Sequence, residues 1–297
     1  MKKNPLLLML VTVFIPLMSA QAQEPVEQLV PEVLEVIPHD SEAFTQGIIF
    51  HEGFLYESTG QYGASSLRQV DPETGEVLLY LPLPESVFAE GLALVDDRLL
   101  QITWREQVAL EFNLSAFTED EELALGTYEY TGEGWGLCYD GEHIYMSDGT
   151  DTLALRDPET FDIVDTVQVT YDDVPLSQLI LDEGEIVPMP ELATPDANAT
   201  PAVSVVRSQR IDLLNELECV GDSIYSNVWQ TDTILIIDKT TGAVTAQINA
   251  AGLLEADDLA GADVLNGIVY LPDSDTFLIT GKYWPKMFEV VFVPEEE

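Results

Sequence analysis

Short runs in which apolar and polar residues alternate, separated by clusters of Gly, Asp, Pro and Thr, fill the chain from about Val33 to Phe292. A period of two marks half-buried β-strands, and the intervening clusters mark turns. One stretch, Phe88–Trp104 (FAEGLALVDDRLLQITW), reads as a turn, a glycine, a short apolar strand, an acidic turn, a second strand and an exit tryptophan. Near-copies begin at Phe44, Gly134, Leu214 and Leu265. Aligned on the residue before each first strand, the anchors are Gly47, Gly91, Gly136, Glu216 and Gly267, at steps of 44, 45, 80 and 51 residues. The long third step contains an insertion, so the underlying period is about 45 residues, the size of one propeller blade. Four copies continue into a second pattern, at Leu67–Tyr80, Leu110–Tyr128, Leu153–Val169 and Ile234–Ile248. There, Asp-Pro-Glu-Thr-Gly and Asp-Lys-Thr-Thr-Gly are turn chemistry, with Asp and Thr bonding the local backbone and Gly supplying a positive φ. Each unit thus predicts about four short antiparallel strands. The fold expected is an all-β, five-bladed β-propeller, with the run Val33–Ile37 completing the last blade and closing the ring without an exposed edge.

Residues 1–22 break this pattern and read as a secretory signal: Lys2 and Lys3, an apolar core Leu6–Leu17, and small residues at Ala20–Ala22. The expectation is export to the periplasm or medium, with cleavage near Ala22, no membrane attachment afterwards, and residues 23–297 forming a single catalytic domain. A second break, Asp172–Gln209, carries a Pro-, Ala- and Thr-rich middle without periodicity and reads as an inserted surface loop. The charge balance is extreme, 54 acidic against 11 basic residues for a net −43, which excludes a nucleic-acid or anionic-membrane binder. Cys138 and Cys219 stand at offsets from their anchors that differ by one residue, so they should point to opposite faces of their strands. Two buried free thiols are therefore expected rather than a disulfide. His39, His51 and His143 show no metal-ligand spacing, so no metal or other cofactor is implied. No nucleophile elbow or phosphate loop is present, and the glycine-rich GEGWG (Gly132–Gly136) has the wrong spacing for one.

The repeat allows equivalent positions to be compared. The entry turns of the first strands would ring one mouth of a propeller, gathering Gln46, Glu90, Trp135, Asn215 and Asn266 beside Phe44 and Phe88. The second strands end at Trp104, Asp148, Trp229 and Lys282. One carboxylate, several amides, one ammonium and a set of indoles make a polar-bottomed aromatic pocket. Glu90 stands out, because a carboxylate placed among apolar neighbours needs a reason to be there. Asn266 serves equally well to satisfy turn backbone, and Trp284 reads as blade-to-blade packing.

FTQG (Phe44–Gly47), YESTGQYGASSLR (Tyr56–Arg68), FAEG (Phe88–Gly91), ITW (Ile102–Trp104), GWGL (Gly134–Leu137), SDG (Ser147–Gly149), LNELE (Leu214–Glu218), NVW (Asn227–Trp229), LNGI (Leu265–Ile268) and TGKYWP (Thr280–Pro285) together resemble the plant-type (papaya-type) glutaminyl-peptide cyclotransferases of plants and bacteria. The resemblance runs in register from about Val33 to Phe292, interrupted only by the insertion. It implies a five-bladed, metal-independent enzyme acting on peptides or proteins with N-terminal glutamine. In that reaction the α-amine attacks the side-chain carboxamide, giving 5-oxoproline (pyroglutamate) and ammonia. The family's site positions carry over to Phe44, Gln46, Phe88, Glu90, Trp104, Trp135, Asn215, Trp229 and Lys282. Glu90 is expected to shuttle the proton. Lys282 and a Trp N–H are expected to steady the oxyanion, and Gln46 and Asn215 to hold the substrate. A monomer is expected.

Two other readings belong to the same residues. Asp148, Asn215, Glu216 and Glu90 supply oxygen donors for a calcium-dependent, lactonase-like hydrolase. The acidic rim alone suits a non-catalytic periplasmic binding propeller.

Overall fold

The computed structural model describes residues 25–114, 124–172, 174–178 and 212–296. The expected leader and most of the expected insertion lie outside these residues. The described residues are all-β apart from a short 3-10 turn at Leu176–Gln178. After a long first strand, β1 (Glu27–Pro38), come four-stranded antiparallel units in chain order. The first is β2 (Thr45–His51), β3 (Phe54–Thr59), β4 (Ser66–Val70) and β5 (Val77–Pro82). The second is β6 (Ala89–Val95), β7 (Arg98–Thr103), β8 (Val108–Asn113) and β9 (Ala124–Glu129). The third is β10 (Leu137–Tyr139), β11 (Ile144–Met146), β12 (Thr152–Arg156) and β13 (Ile163–Gln168), followed by a small hairpin of β14 (Thr170–Tyr171) and β15 (Val174–Pro175). The fourth is β16 (Leu214–Val220), β17 (Ser223–Val228), β18 (Thr233–Asp238) and β19 (Val244–Asn249). The last three strands are β20 (Leu265–Leu271), β21 (Thr276–Gly281) and β22 (Lys286–Pro294).

β1 supplies the fourth strand of that last unit, antiparallel to β22 from Leu29 to Pro38. It is longer than the run Val33–Ile37 expected. Its first residues also pair in parallel with β19, Glu27 opposite Ala246 and Leu29 opposite Ile248. The fourth and last units are thereby fused into one eight-stranded sheet.

The first strands β2, β6, β10, β16 and β20 touch one another in cyclic order, β20 returning to β2. Neighbouring residues of these strands feed different cores, as the period of two requires. Ile48 packs between the last unit and the first, with Leu278 and Met287, whereas Ile49 packs between the first and second, with Leu92 and Leu99. Leu137 joins the second unit's Ala93 and Ile102, while Cys138 joins the fourth unit's Leu217 and Ile224. Ile268 in turn packs on Ile234 and Ile248 of the fourth unit. Each sheet is a layer between two others. The turn glycines are needed where the first strands crowd: a Cβ on Gly91 would meet Leu137 N at 2.6 Å.

Cys138 and Cys219 form a disulfide, with Cα atoms 5.5 Å apart, and this corrects the expectation of free thiols. The offset argument placed the two side chains on opposite faces of their sheets. Consecutive sheets stack front to back, so opposite faces are the ones that meet. The disulfide thus joins the third and fourth units, on either side of the insertion.

Candidate active site

Four of the first strands begin with a one-residue irregularity in pairing, between Thr45 and Gly47, Ala89 and Leu92, Leu214 and Leu217, and Leu265 and Ile268. The extra residues include Gln46, Glu90, Asn215 and Asn266. A bulge turns a side chain away from the regular alternation, and three of these four side chains line one cavity of about 380 Å3. Phe44, Phe88, Trp104, Trp135, Trp229 and Lys282 line it too, so the structure brings all nine expected residues together. Asn266 does not line it. Its Nδ2 donates to Thr45 O at 2.9 Å and to Gln46 Oε1 at 3.3 Å, which makes it a support for Gln46. Asp148 is exposed and accepts bonds from Thr150 in its own turn, away from the cavity. Glu216 is spent on the amide of Ile268 at 3.0 Å. The oxygen donors of the calcium reading therefore do not converge.

The walls are aromatic. Phe44 meets Phe88 edge-on at 6.1 Å, Phe88 lies 5.4 Å from Trp104, and Trp135 meets Trp229 edge-on at 5.4 Å. Within them sit two buried ionisable groups, Glu90 at 5 % and Lys282 at 4 % exposure. Burial raises the Glu90 carboxyl well above its usual range, against the pull of Lys282 and with the push of Glu133 and Glu106. Burial also lowers the Lys282 ammonium, opposed by Glu90 and Asp263. Both groups are thereby moved toward neutral pH, where a proton carrier works best. The ammonium lies 4.7 Å from the Phe44 ring centroid, and that π face offsets part of its lost hydration. Asn215 carries a buried Oδ1 without a hydrogen-bond partner among the described residues, a standing cost unless a ligand donates to it.

Gln61, Gln230, Asp263 and Val264 complete the lining and were not anticipated. Val264 holds the place of Phe44 and Phe88, since Lys282 N donates to Val264 O as Gly60 N does to Phe44 O and Trp104 N to Phe88 O. Gln61 and Gln230 each follow such an exit residue. The repeat placed them, but their residue types gave no reason to single them out. Gln61 and Gln230 hold positive φ of 107° and 66°. Such strain in non-glycine residues gathers at functional sites, but it leaves no mark in a sequence. Trp284 joins the core between the fourth and last units, with Ile234 and Ile248, as expected of a residue packing unit on unit.

The indoles of Trp104 and Trp135 depart from expectation. Both donate Nε1–H to Glu133 Oε2, at 2.8 and 3.1 Å. Neither of these two N–H groups is free for an oxyanion, which leaves Trp229 as the indole and Lys282 as the cation in the lining for that role. Among the described residues no group of three or more His, Cys, Asp or Glu side chains is placed to hold a metal.

The glutamine cyclotransferase family matches over residues 6–187 and 192–292, nearly the whole chain. The chain belongs to this family. It is 32% identical to a glutaminyl-peptide cyclotransferase of Arabidopsis thaliana over 264 residues, covering 87% of this chain and 70% of the relative. The crystal structure of Myxococcus xanthus glutaminyl cyclase superposes with a TM-score of 0.70 at 33% identity, covering 92% of this chain and all of that one. The family match breaks only at residues 188–191, so it runs through most of the insertion, and residues lining the cavity fall on both sides of the break.

Proposed function

We propose that this glutaminyl cyclase family member is a five-bladed propeller that converts the N-terminal glutamine of peptides or proteins to pyroglutamate with release of ammonia. The blade count rests on the cyclic order of the first strands and on the cores between successive sheets. The reaction rests on one observation above all, the buried pair of Glu90 and Lys282 beneath aromatic walls in a cavity sized for one side chain and its backbone. Gln46, steadied by Asn266, and Asn215, with its unpaired oxygen, hold the glutamine folded. Its amine then lies against its own side-chain carbonyl, and ring closure becomes intramolecular.

In the step itself the α-nitrogen bonds to the carboxamide carbon. Glu90 takes the proton that the new bond acidifies and gives it to the departing nitrogen. The C–N bond of the carboxamide breaks and ammonia leaves, with Glu90 returned to its starting state. The Lys282 ammonium steadies the oxyanion in between. No metal takes part in the reaction as proposed. The enzyme works as a monomer in the periplasm or medium after cleavage near Ala22.

The test is ammonia release from a short Gln-initiated peptide, with the matching mass loss, by wild type and Glu90→Gln. The expected result is chelator-resistant release in the wild type and a loss of about 10²- to 10⁴-fold in the variant. Absence of release from any Gln-peptide would refute the activity. Undiminished release by the variant would move the proton to another group.

A further inference from the structure

Glu133 does not line the cavity, yet it bonds two of the side chains that do. Its Oε2 accepts from both Trp104 and Trp135, and its Oε1 accepts from Arg105 Nε at 3.0 Å. Arg105 in turn lies over the Trp104 ring, 3.6 Å from the centroid. The guanidinium thus lies on the indole, whose ring meets the Phe88 ring at a 59° tilt, and one carboxylate is bonded to the guanidinium, to this indole and to the neighbouring one. The segment carrying Glu133 is itself fixed, because Gly134 N donates to Trp104 O at 3.0 Å and Trp135 N to Ser147 O at 3.0 Å. Gly134 has no room for a side chain, since a Cβ there would lie 2.8 Å from Thr103 O. Trp104 and Trp135 come from different units, and this carboxylate is the side-chain group that bonds both of their rings.

We propose that Glu133 is a positioning residue for cyclisation, clamping the indoles of Trp104 and Trp135 into one rigid wall against which the substrate glutamine folds. The proposal rests on the activity proposed above. Glu133 is also held as an anion: burial, which acts upward, is outweighed by the bonds from Trp135, Trp104 and Arg105, and its carboxyl stays below the usual range. This fixed negative charge acts on Glu90, as does that of Glu106, against Lys282. The clamp and the charge are separable. Gln in place of Glu133 keeps an oxygen for both indoles and loses only the charge and the Arg105 bond.

The experiment compares Glu133→Ala with Glu133→Gln on a Gln-initiated peptide, alongside the indole N–H resonances of the free proteins, assigned with Trp104→Phe and Trp135→Phe. In Glu133→Ala the two resonances move, and KM rises about tenfold, the loss expected for one or two charged hydrogen bonds. Glu133→Gln recovers most of that rise, but the acid limb of kcat/KM shifts to lower pH by a few tenths of a unit, because an anion that disfavours Glu90 ionisation is gone. A merely structural role would not move that limb. Wild-type KM and unmoved resonances in Glu133→Ala would overturn the clamp. The resonances read the clamp without any turnover, so failure of the cyclase activity itself would show separately, as an inactive wild type whose Glu133→Ala resonances still move.

Discussion

At the residue scale, the proposed chemistry turns on two ionisable groups held out of water against each other. Lys282 pulls the Glu90 carboxyl down while burial pushes it up. Replacing Lys282 by Met keeps the bulk and removes the pull. The Glu90 carboxyl then rises further, so the acid limb of kcat/KM moves to higher pH, while kcat falls with loss of the oxyanion's partner. A pH profile of the variant checks the sign, and a limb moving to lower pH would show that Glu90 does not set it. In the wild type, rates should fall both as acid protonates Glu90, above the usual carboxylate range, and as base discharges Lys282, below the usual lysine range. Nine cavity residues were legible in the sequence because each stands at an equivalent place in a repeat. Glu133 was written in GEGWG but not legible there, since its role depends on an indole 29 positions away. That two of the three cavity indoles are already bonded was hidden for the same reason: a sequence shows donors but not which acceptor has claimed them.

At the element scale, the turn motif shows how far local chemistry determines shape. Asp71 Oδ1 accepts from the amides of Glu73 and Thr74, Asp157 Oδ1 from Glu159 and Thr160, and Asp238 Oδ1 from Thr240 and Thr241. Gly75 and Gly242 close their turns at φ of 70° and 75°, as the motif predicts. In the third copy Phe161 takes this position at φ 61°, its ring buried beside Tyr128, Tyr130 and Arg156. Core packing there outweighs a backbone cost of about 1–2 kcal/mol. Phe161→Gly relieves that cost but empties a core site, and a net loss of about 2 kcal/mol or more is expected from chemical denaturation. The disulfide belongs to this scale as well. It closes a loop of 81 residues spanning the insertion, so Cys138→Ser should cost between about 3 and 5 kcal/mol and make stability indifferent to reductant. Equal stability of wild type and variant under oxidising conditions would mean that the packing between the two units suffices alone. Strand positions were readable because periodicity is local. Which sheet faces which was not, and the cysteines were misjudged on that point alone.

At the scale of the whole molecule, closure and charge set the stability. β1 joins the two ends of the chain and reaches across to β19, so the last two units stand or fall together. The net charge of −43 repels itself throughout the compact state. Inside, Glu216 and Glu218 are carboxyls raised by burial, Glu218 to about 8. A folded chain that keeps protons which the unfolded chain releases loses stability as pH rises. For Glu218 the window runs from the ordinary value of 4.5 up to about 8. His39 adds to this trend. Its ring nitrogens face Trp284 O at 2.8 Å and Glu57 Oε1 at 3.0 Å, and although burial acts downward, Glu57 raises it above 6.5. Its contribution is complete below that value and lost as pH climbs through the raised one. Glu57 sets the opposite bound: burial acts upward on it but His39 and Arg68 hold it down, so its contribution is present above 4.5 and lost as pH falls through the lowered value. The melting temperature should therefore rise as the pH falls from about 8 to about 5, then drop in stronger acid. Added salt should raise it most at the alkaline end, by screening the net charge. Glu218→Gln separates the two effects. Glutamine keeps an acceptor for the Tyr270 amide, now 2.9 Å from the Glu218 carboxylate, and it cannot ionise. Thermal scans of this variant should show a shallower slope with pH and an unchanged response to salt. A slope as steep as that of the wild type would assign the pH dependence to surface repulsion alone.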